Sequence, residues 1–70
     1  MSEQESKAAP CVLEETSGHV LWLTLNRPQQ RNPLSSEMIS TLHSAVTAAN
    51  DDPQVRVIVI TGAGTVFSAG

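Results

Sequence analysis

Three glycines near the end of the sequence, Gly62, Gly64 and Gly70, are the residues whose type and spacing point most directly to chemistry. They follow a β-branched run, V-R-V-I-V-I-T, and lie in the segment G-A-G-T-V-F-S-A-G. Glycine has no Cβ, so the main-chain N–H and C=O groups beside it can approach a ligand closely. Because open α/β sheets bind ligands at the carboxyl ends of their strands, we predict that this turn forms part of a binding site.

Two familiar glycine motifs are incomplete in this turn. The dinucleotide-binding fingerprint G-x-G-x-x-G needs a glycine where the sequence has Phe67. The nucleophile elbow G-x-S-x-G around Ser68 needs a glycine where the sequence has Val66. Dinucleotide binding is therefore the weaker alternative, and Ser68 is interpreted by default as a small turn residue.

Strands must position this turn, and the apolar run Val57–Ile60 predicts the strand that leads into it. An unbroken run of this kind is typical of a strand covered on both faces, as in parallel sheets. Earlier in the chain, Cys11–Thr16 and His19–Asn26 flank Ser17-Gly18 and predict a hairpin. Both faces of the second hairpin strand are largely apolar, so we predict that it is central, with the first strand at an edge.

A polar loop, Arg27–Pro33, follows the central strand, since prolines near both its ends oppose a continuing ladder. Asn26 and Arg27 are predicted to fix this loop through bonds from their side chains to the backbone. The loop and the glycine turn leave neighbouring parallel strands, so they are expected to converge at one edge of the sheet.

A helix is predicted between the loop and the last strand, which gives a β-α-β crossover. Ser35 is the expected N-cap, Glu37 lies in the first turn, and Asn50–Pro53 ends the helix. An apolar stripe at helical spacing is predicted to face the sheet: Met38, Ile39, Leu42, Ala45, Val46 and Ala49.

Length and composition favour a small part of a larger soluble protein. A chain of 70 residues buries only about 60% of the surface that its unfolded form exposes, and two aromatic residues, Trp22 and Phe67, add little to a core. The net charge is −3 and the basic residues are scattered, so no nucleic-acid partner is predicted. No window approaches the ~18 apolar residues of a membrane span, so no membrane partner is predicted either.

Residues 1–10 are predicted to be a disordered leader because they are mostly polar. They lack the apolar core of a secretory signal and the arginine-rich character of a mitochondrial transit peptide. The single cysteine, Cys11, excludes an internal disulfide and is interpreted as a small apolar residue. The default prediction is a cytoplasmic protein, with a mitochondrial or peroxisomal location left open.

The order of these motifs resembles a known family. L-N-R-P-x-x-x-N-x-L, a helix ending in D-D-P, and V-I-T-G-x-G-x-x-F-S-A-G follow one another within residues 11–70, as at the start of the crotonase (enoyl-CoA hydratase/isomerase) superfamily. The resemblance implies an α/β fold in which this chain is the start of a ββα spiral: a β-hairpin, a helix crossover and a parallel strand. It also implies that the chain is the N-terminal part of a longer enzyme, which forms a homotrimer or a dimer of trimers.

The resemblance further implies that the enzyme binds an acyl-CoA thioester and stabilises its enolate-like oxygen with two backbone N–H groups. One donor belongs to the residue after the glycine that Gly70 matches, and the other lies further along the chain. The implied CoA-binding residues are Arg31, Ser68, Ala69 and Gly70. Arg31 is expected to contact phosphate because Gln29 stands where hydratases often have lysine, and Ala69 contacts the adenine through its carbonyl oxygen. Coenzyme A is part of the substrate, so no separate cofactor is implied.

The acid–base residues of the family lie beyond the region matched here, so no catalytic residue is predicted within the chain. Glu14, Glu15 and Glu37 are interpreted as solvated carboxylates, and His19 and His43 as exposed side chains, His43 on the polar side of the helix. The favoured interpretation is an enoyl-CoA hydratase or isomerase whose first 70 residues alone are inactive. The alternative is a noncatalytic segment that pairs its exposed sheet edge with another chain.

Overall fold

A computed structural model describes residues 10–70 of the protein. Its elements, in chain order, are strand β1 (Val12–Ser17), strand β2 (Val20–Leu25), helix α1 (Ser36–Asn50) and strand β3 (Val57–Gly62). This is the predicted α/β arrangement of a hairpin, a helix and a further strand. The predicted leader lies outside the described residues apart from Pro10, whose carbonyl oxygen accepts a hydrogen bond from Asn26 Nδ2 at 3.1 Å.

The three strands form one sheet in the order β1-β2-β3, which confirms that β2 is central. Strand β1 is antiparallel to β2, and β3 is parallel to it. Ser17 pairs with Val20, so the hairpin turn is Gly18-His19, one residue later than predicted. Gly18 has φ of +60°, and this left-handed conformation is needed at the first position of the two-residue turn that matches the strand twist.

Helix α1 begins and ends at the predicted signals. The Ser35 Oγ accepts a hydrogen bond from the Met38 N–H at 3.1 Å, and Glu37 lies in the first turn. At the other end Asp51 is the C-cap, two residues before Pro53. Among residues 10–70, no helix has the length and apolar character of a membrane span.

The buried stripe of the helix is narrower than predicted. Three of its side chains are buried against the sheet: Met38, Ala45 and Ala49. Leu42 packs beside them. Ile39 and Val46 are 53% and 37% exposed, so the prediction that they face the sheet is wrong. Each directly follows a buried residue, and a step of about 100° along a helix rotates it away from the sheet.

Ile39 and Val46 instead line an open, apolar groove on the outer side of the helix, together with Leu34, Leu42, His43 and Thr47. His43 is exposed, as predicted, but it borders apolar side chains rather than a polar surface.

The core lies between helix α1 and one face of β2. Leu21, Leu23 and Leu25 of that face are at most 7% exposed. Cys11 lies beside them at 5% exposed, and its Sγ donates a weak hydrogen bond to the Thr41 Oγ1 at 3.4 Å. The interpretation of Cys11 as a small apolar residue is confirmed.

The other face of the sheet is uncovered in residues 10–70. Trp22 on β2 and Val57 on β3 lie on this face and are 42% and 51% exposed. Ile60 pairs with Leu23 and so points to the helix side of the sheet, where it is still 42% exposed. The prediction that β3 is covered on both faces is therefore wrong for the described residues. Helix α1 packs on β1 and β2 from one side only, and β3 lies at the edge of the sheet.

Candidate functional site

The polar loop after β2 and the glycine turn after β3 meet at one edge of the sheet, as predicted. Two main-chain hydrogen bonds join them directly. The Ala69 N–H donates to the Arg31 carbonyl oxygen at 2.8 Å, and the Leu34 N–H donates to the Gly70 carbonyl oxygen at 3.2 Å. The two segments therefore form one backbone unit at the carboxyl ends of β2 and β3.

A left-handed bend shapes the loop. Pro28–Gln30 forms a short 3-10 turn, and Arg31 and Asn32 follow with φ of 62° and 50°. Positive φ is uncommon for residues with a side chain, although asparagine tolerates it better than most. The Asn32 N–H bonds back to the Arg27 carbonyl oxygen at 2.9 Å, which closes the bend. This bend is what allows the carbonyl oxygens of Arg31 and Asn32 to accept bonds from the glycine turn.

Asn32 is the one buried polar side chain in residues 10–70, and it is 0% exposed. Its Oδ1 accepts from the Arg27 N–H at 2.7 Å. Its Nδ2 donates to the carbonyl oxygens of Ala63 at 3.0 Å and Val66 at 2.9 Å. A buried polar group is stable only when it is hydrogen-bonded, and here both amide hydrogens and the amide oxygen have partners.

No role of Asn32 was predicted from the sequence. The available signal was the second asparagine of L-N-R-P-x-x-x-N-x-L. Asparagine combines two donors, an acceptor and tolerance of positive φ, which are the properties this position uses.

The three glycines have different surroundings, which corrects the prediction that all of them admit a ligand. A Cβ on Gly62 would lie 2.5 Å from the Phe67 carbonyl oxygen. A Cβ on Gly64 would lie 2.9 Å from the Pro28 Cβ. A Cβ on Gly70 would meet no atom within 4 Å. The first two glycines allow the turn to pack on itself and on the loop, whereas no described atom lies within 4 Å of a Cβ built on Gly70.

Ser68 connects the loop to Gly70. Its Oγ donates to the Asn32 carbonyl oxygen at 2.7 Å and accepts from the Gly70 N–H at 3.0 Å. The hydroxyl hydrogen is thus used inside the protein. Ala69 beside it is exposed.

The two arginines of the loop have different environments. The Arg27 Nη1 donates to the Asn26 carbonyl oxygen at 3.0 Å, and Asn26 itself bonds to the Pro10 carbonyl oxygen. Both side chains bond to the backbone, as predicted, but the Asn26 bond reaches Pro10 and not a residue of the loop. Arg31 is exposed at the same edge as the glycine turn, so its guanidinium is accessible to an anion.

The other ionisable side chains do not converge on this edge. Glu14, Glu15 and Glu37 are exposed. The His19 Nδ1 lies 2.7 Å from a carbonyl oxygen of the segment before β3, at the opposite end of the sheet. Within residues 10–70, no group of three or more His, Cys, Asp or Glu could hold a metal ion. What the edge offers is main-chain groups in fixed directions and one accessible cation.

Comparison with known proteins places this arrangement in one family. The family model for enoyl-CoA hydratase/isomerase matches residues 15–70, which include both segments of the site. An enoyl-CoA hydratase of Mycobacterium tuberculosis is 42% identical over 64 residues, which cover 91% of this chain and 24% of that protein. A protein of Arabidopsis thaliana named as a 3-hydroxyisobutyryl-CoA hydrolase is 46% identical over 59 residues, which cover 84% of this chain and 16% of that protein.

The fold agrees with a solved structure of similar sequence. The crystal structure of an enoyl-CoA hydratase from Mycobacterium smegmatis is 48% identical and superposes with a TM-score of 0.85, covering 89% of this chain and 28% of that one. The predicted fold class, the start of a crotonase-like ββα spiral, is confirmed. The chain spans about a quarter of the length of the first curated relatives that it matches.

Proposed function

The chain belongs to the enoyl-CoA hydratase/isomerase family, and on that premise we propose that it is the N-terminal part of an enzyme that acts on an acyl-CoA thioester. The reaction we propose is the hydration or isomerisation of an enoyl-CoA. The observation that carries the proposal is the edge of the sheet where main-chain hydrogen bonds join the loop and the glycine turn, including Gly70, into one unit.

The proposed role of this edge is to aim a backbone N–H at the thioester oxygen. The Gly70 carbonyl oxygen accepts a bond from the Leu34 N–H. In a trans peptide the C=O and N–H groups point in opposite directions, so the N–H that follows Gly70 points away from Leu34. Among residues 10–70, no atom lies within 4 Å of a Cβ built on Gly70.

A donor fixed in this way is effective because its direction is set before the reaction begins. When the thioester becomes enolate-like, negative charge develops on its oxygen, and a donor already in place stabilises that charge without reorganising. The hydrogen bonds on both sides of Gly70 supply this rigidity.

The proposed CoA contacts lie next to the same point. Arg31 is exposed, and its guanidinium can donate two hydrogen bonds at the same time to the oxygens of a phosphate group. The Ala69 N–H is bonded to the Arg31 carbonyl oxygen, which places the exposed Ala69 main chain beside this cation. We propose that the Ala69 carbonyl oxygen contacts the adenine, with Ala69 kept small so that CoA can pass over the main chain.

The names of the relatives support a shared binding step rather than one reaction. A hydratase and a protein named as a hydrolase of CoA thioesters match these residues at 42% and 46% identity. The stabilised thioester oxygen is common to such chemistry, and we propose that acid–base groups outside residues 10–70 select the reaction. We further propose a homotrimer or dimer of trimers, located in the cytoplasm.

The test is turnover of crotonyl-CoA, followed as loss of the absorbance of the conjugated thioester. The full-length protein is expected to be active. The 70-residue chain alone is expected to be inactive, because removal of even one oxyanion donor costs about 10²–10³ in rate. A folded full-length protein that neither binds CoA nor turns over the substrate would contradict the proposal and favour a noncatalytic interaction segment. Turnover by the 70-residue chain alone would contradict the proposal that part of the catalytic site lies outside these residues.

A further inference from the structure

We infer that Asn32 is the positioning residue of the thioester site: its buried carboxamide holds the glycine turn at the distance and angle from the polar loop that turnover requires. This inference rests on the proposed function of that turn. It assigns Asn32 no contact with substrate.

The contacts of the Asn32 side chain reach both segments. The amide oxygen accepts from the Arg27 N–H in the loop, at 2.7 Å. The amide nitrogen donates to the Ala63 and Val66 carbonyl oxygens in the turn, at 3.0 and 2.9 Å. Aspartate has the same shape but, when ionised, no hydrogen to donate, so it cannot bond the two carbonyl oxygens.

The main chain of Asn32 is connected to the proposed donor position through one side chain. The Asn32 carbonyl oxygen accepts a hydrogen bond from the Ser68 Oγ at 2.7 Å. The Ser68 Oγ in turn accepts a hydrogen bond from the Gly70 N–H at 3.0 Å. Two hydrogen bonds therefore separate Asn32 from Gly70. A shift of the loop at Asn32 is transmitted to the peptide that directs the proposed donor.

Burial makes this connection stiff. Asn32 is 0% exposed, so water cannot replace a lost partner without opening the site. Its φ of 50° fixes the carbonyl direction and is accessible to asparagine and glycine but costly for most other residues. The same position thus carries a backbone constraint and a side-chain constraint, and the two can be separated by substitution.

The experiment uses the full-length protein with Asn32→Gly and Asn32→Asp. Glycine keeps the backbone conformation and removes the side chain, whereas aspartate keeps the shape and removes the donors. Calorimetric titration with CoA counts the binding-competent subunits, and kinetics with crotonyl-CoA give kcat for each of them. We expect kcat per competent subunit to fall by about 10²-fold or more, as for a misplaced oxyanion donor, while the Kd for CoA changes far less.

A residue that only stabilises the fold would give a different result. It would lower the number of competent subunits and leave kcat per competent subunit at the wild-type value, and that result would overturn the inference. Gln30→Ala is the matched control, because Gln30 is exposed in the same loop. It should leave the count, kcat and Kd unchanged.

Ser68→Ala tests the inference if both Asn32 variants fail to fold. It leaves the carboxamide in place and removes the link between the Asn32 carbonyl oxygen and the Gly70 N–H. Loss of one hydrogen bond corresponds to a fall in kcat per competent subunit of about 2- to 12-fold. An unchanged value would overturn the inference. A wild-type protein that neither binds CoA nor turns over crotonyl-CoA would instead refute the proposed function.

Discussion

Gly70→Ala should reduce turnover through backbone strain. Gly70 has φ of +90°, and an added Cβ would meet no atom within 4 Å. A non-glycine residue in such a conformation costs about 1–3 kcal/mol. The bonds that hold the peptide in place, to Ser68 and Leu34, are worth about 0.5–1.5 kcal/mol each. The strain is at least comparable to either bond, so we expect the peptide after Gly70 to rotate.

Rotation would misdirect the N–H that follows Gly70. The bond from Leu34 to Gly70, at 3.2 Å, is longer than that from Ala69 to Arg31, at 2.8 Å, so we expect it to break first. Loss of one whole oxyanion donor lowers kcat by about 10²-fold or more. KM should change much less, because the oxygen becomes negative only in the transition state. The assay is steady-state kinetics of the full-length protein with crotonyl-CoA, with circular dichroism to confirm folding.

Gly18→Ala is the matched control, because Gly18 also has positive φ, +60°, and also has no atom within 4 Å of an added Cβ. It lies in the hairpin turn at the opposite end of β2. Its cost in free energy of unfolding should be of the same order, about 1 kcal/mol or more, with kcat unchanged. If Gly70→Ala is folded and its kcat equals that of the control, Gly70 has no part in directing a catalytic donor.

Two further substitutions test the loop and the turn separately. Arg31→Ala should weaken acyl-CoA binding by roughly 1.5–3 kcal/mol if its charged contact to phosphate is well formed. It should weaken the binding of a pantetheine thioester less. Equal losses of affinity in the two titrations would show that Arg31 is only a solvated loop residue. Gly62→Ala should lower the free energy of unfolding by about 1–3 kcal/mol, because the new Cβ would lie 2.5 Å from the Phe67 carbonyl oxygen. An unchanged midpoint of urea unfolding would show that Gly62 is not needed for this packing.

The features that could be predicted from sequence depend on neighbours close along the chain. The Ser35 cap bonds to Met38, three residues away, and the alternating leucines of β2 define the buried face of that strand. Errors arose where burial depends on what covers an apolar residue. Ile39 and Val46 extend the apolar stripe of the helix, but in residues 10–70 they line a groove away from the sheet.

The residues that shape the site were harder to predict because their partners are distant in sequence. Asn32 bonds to carbonyl oxygens 31 and 34 residues further along the chain. Gly62 and Gly70 are the same residue type in the same turn, yet the Phe67 backbone crowds one and nothing described crowds the other. Sequence spacing locates the turn, and only the folded contacts show that Gly62 and Gly64 are needed for its packing.

A crystal structure of the full-length protein with butyryl-CoA would show whether the N–H after Gly70 binds the thioester oxygen, because this saturated thioester cannot be hydrated or isomerised. We predict that the thioester oxygen accepts a hydrogen bond of about 2.7–3.1 Å from the N–H that follows Gly70, with the CoA phosphates near Arg31. A thioester bound elsewhere, with the Gly70 turn free of ligand, would contradict the account.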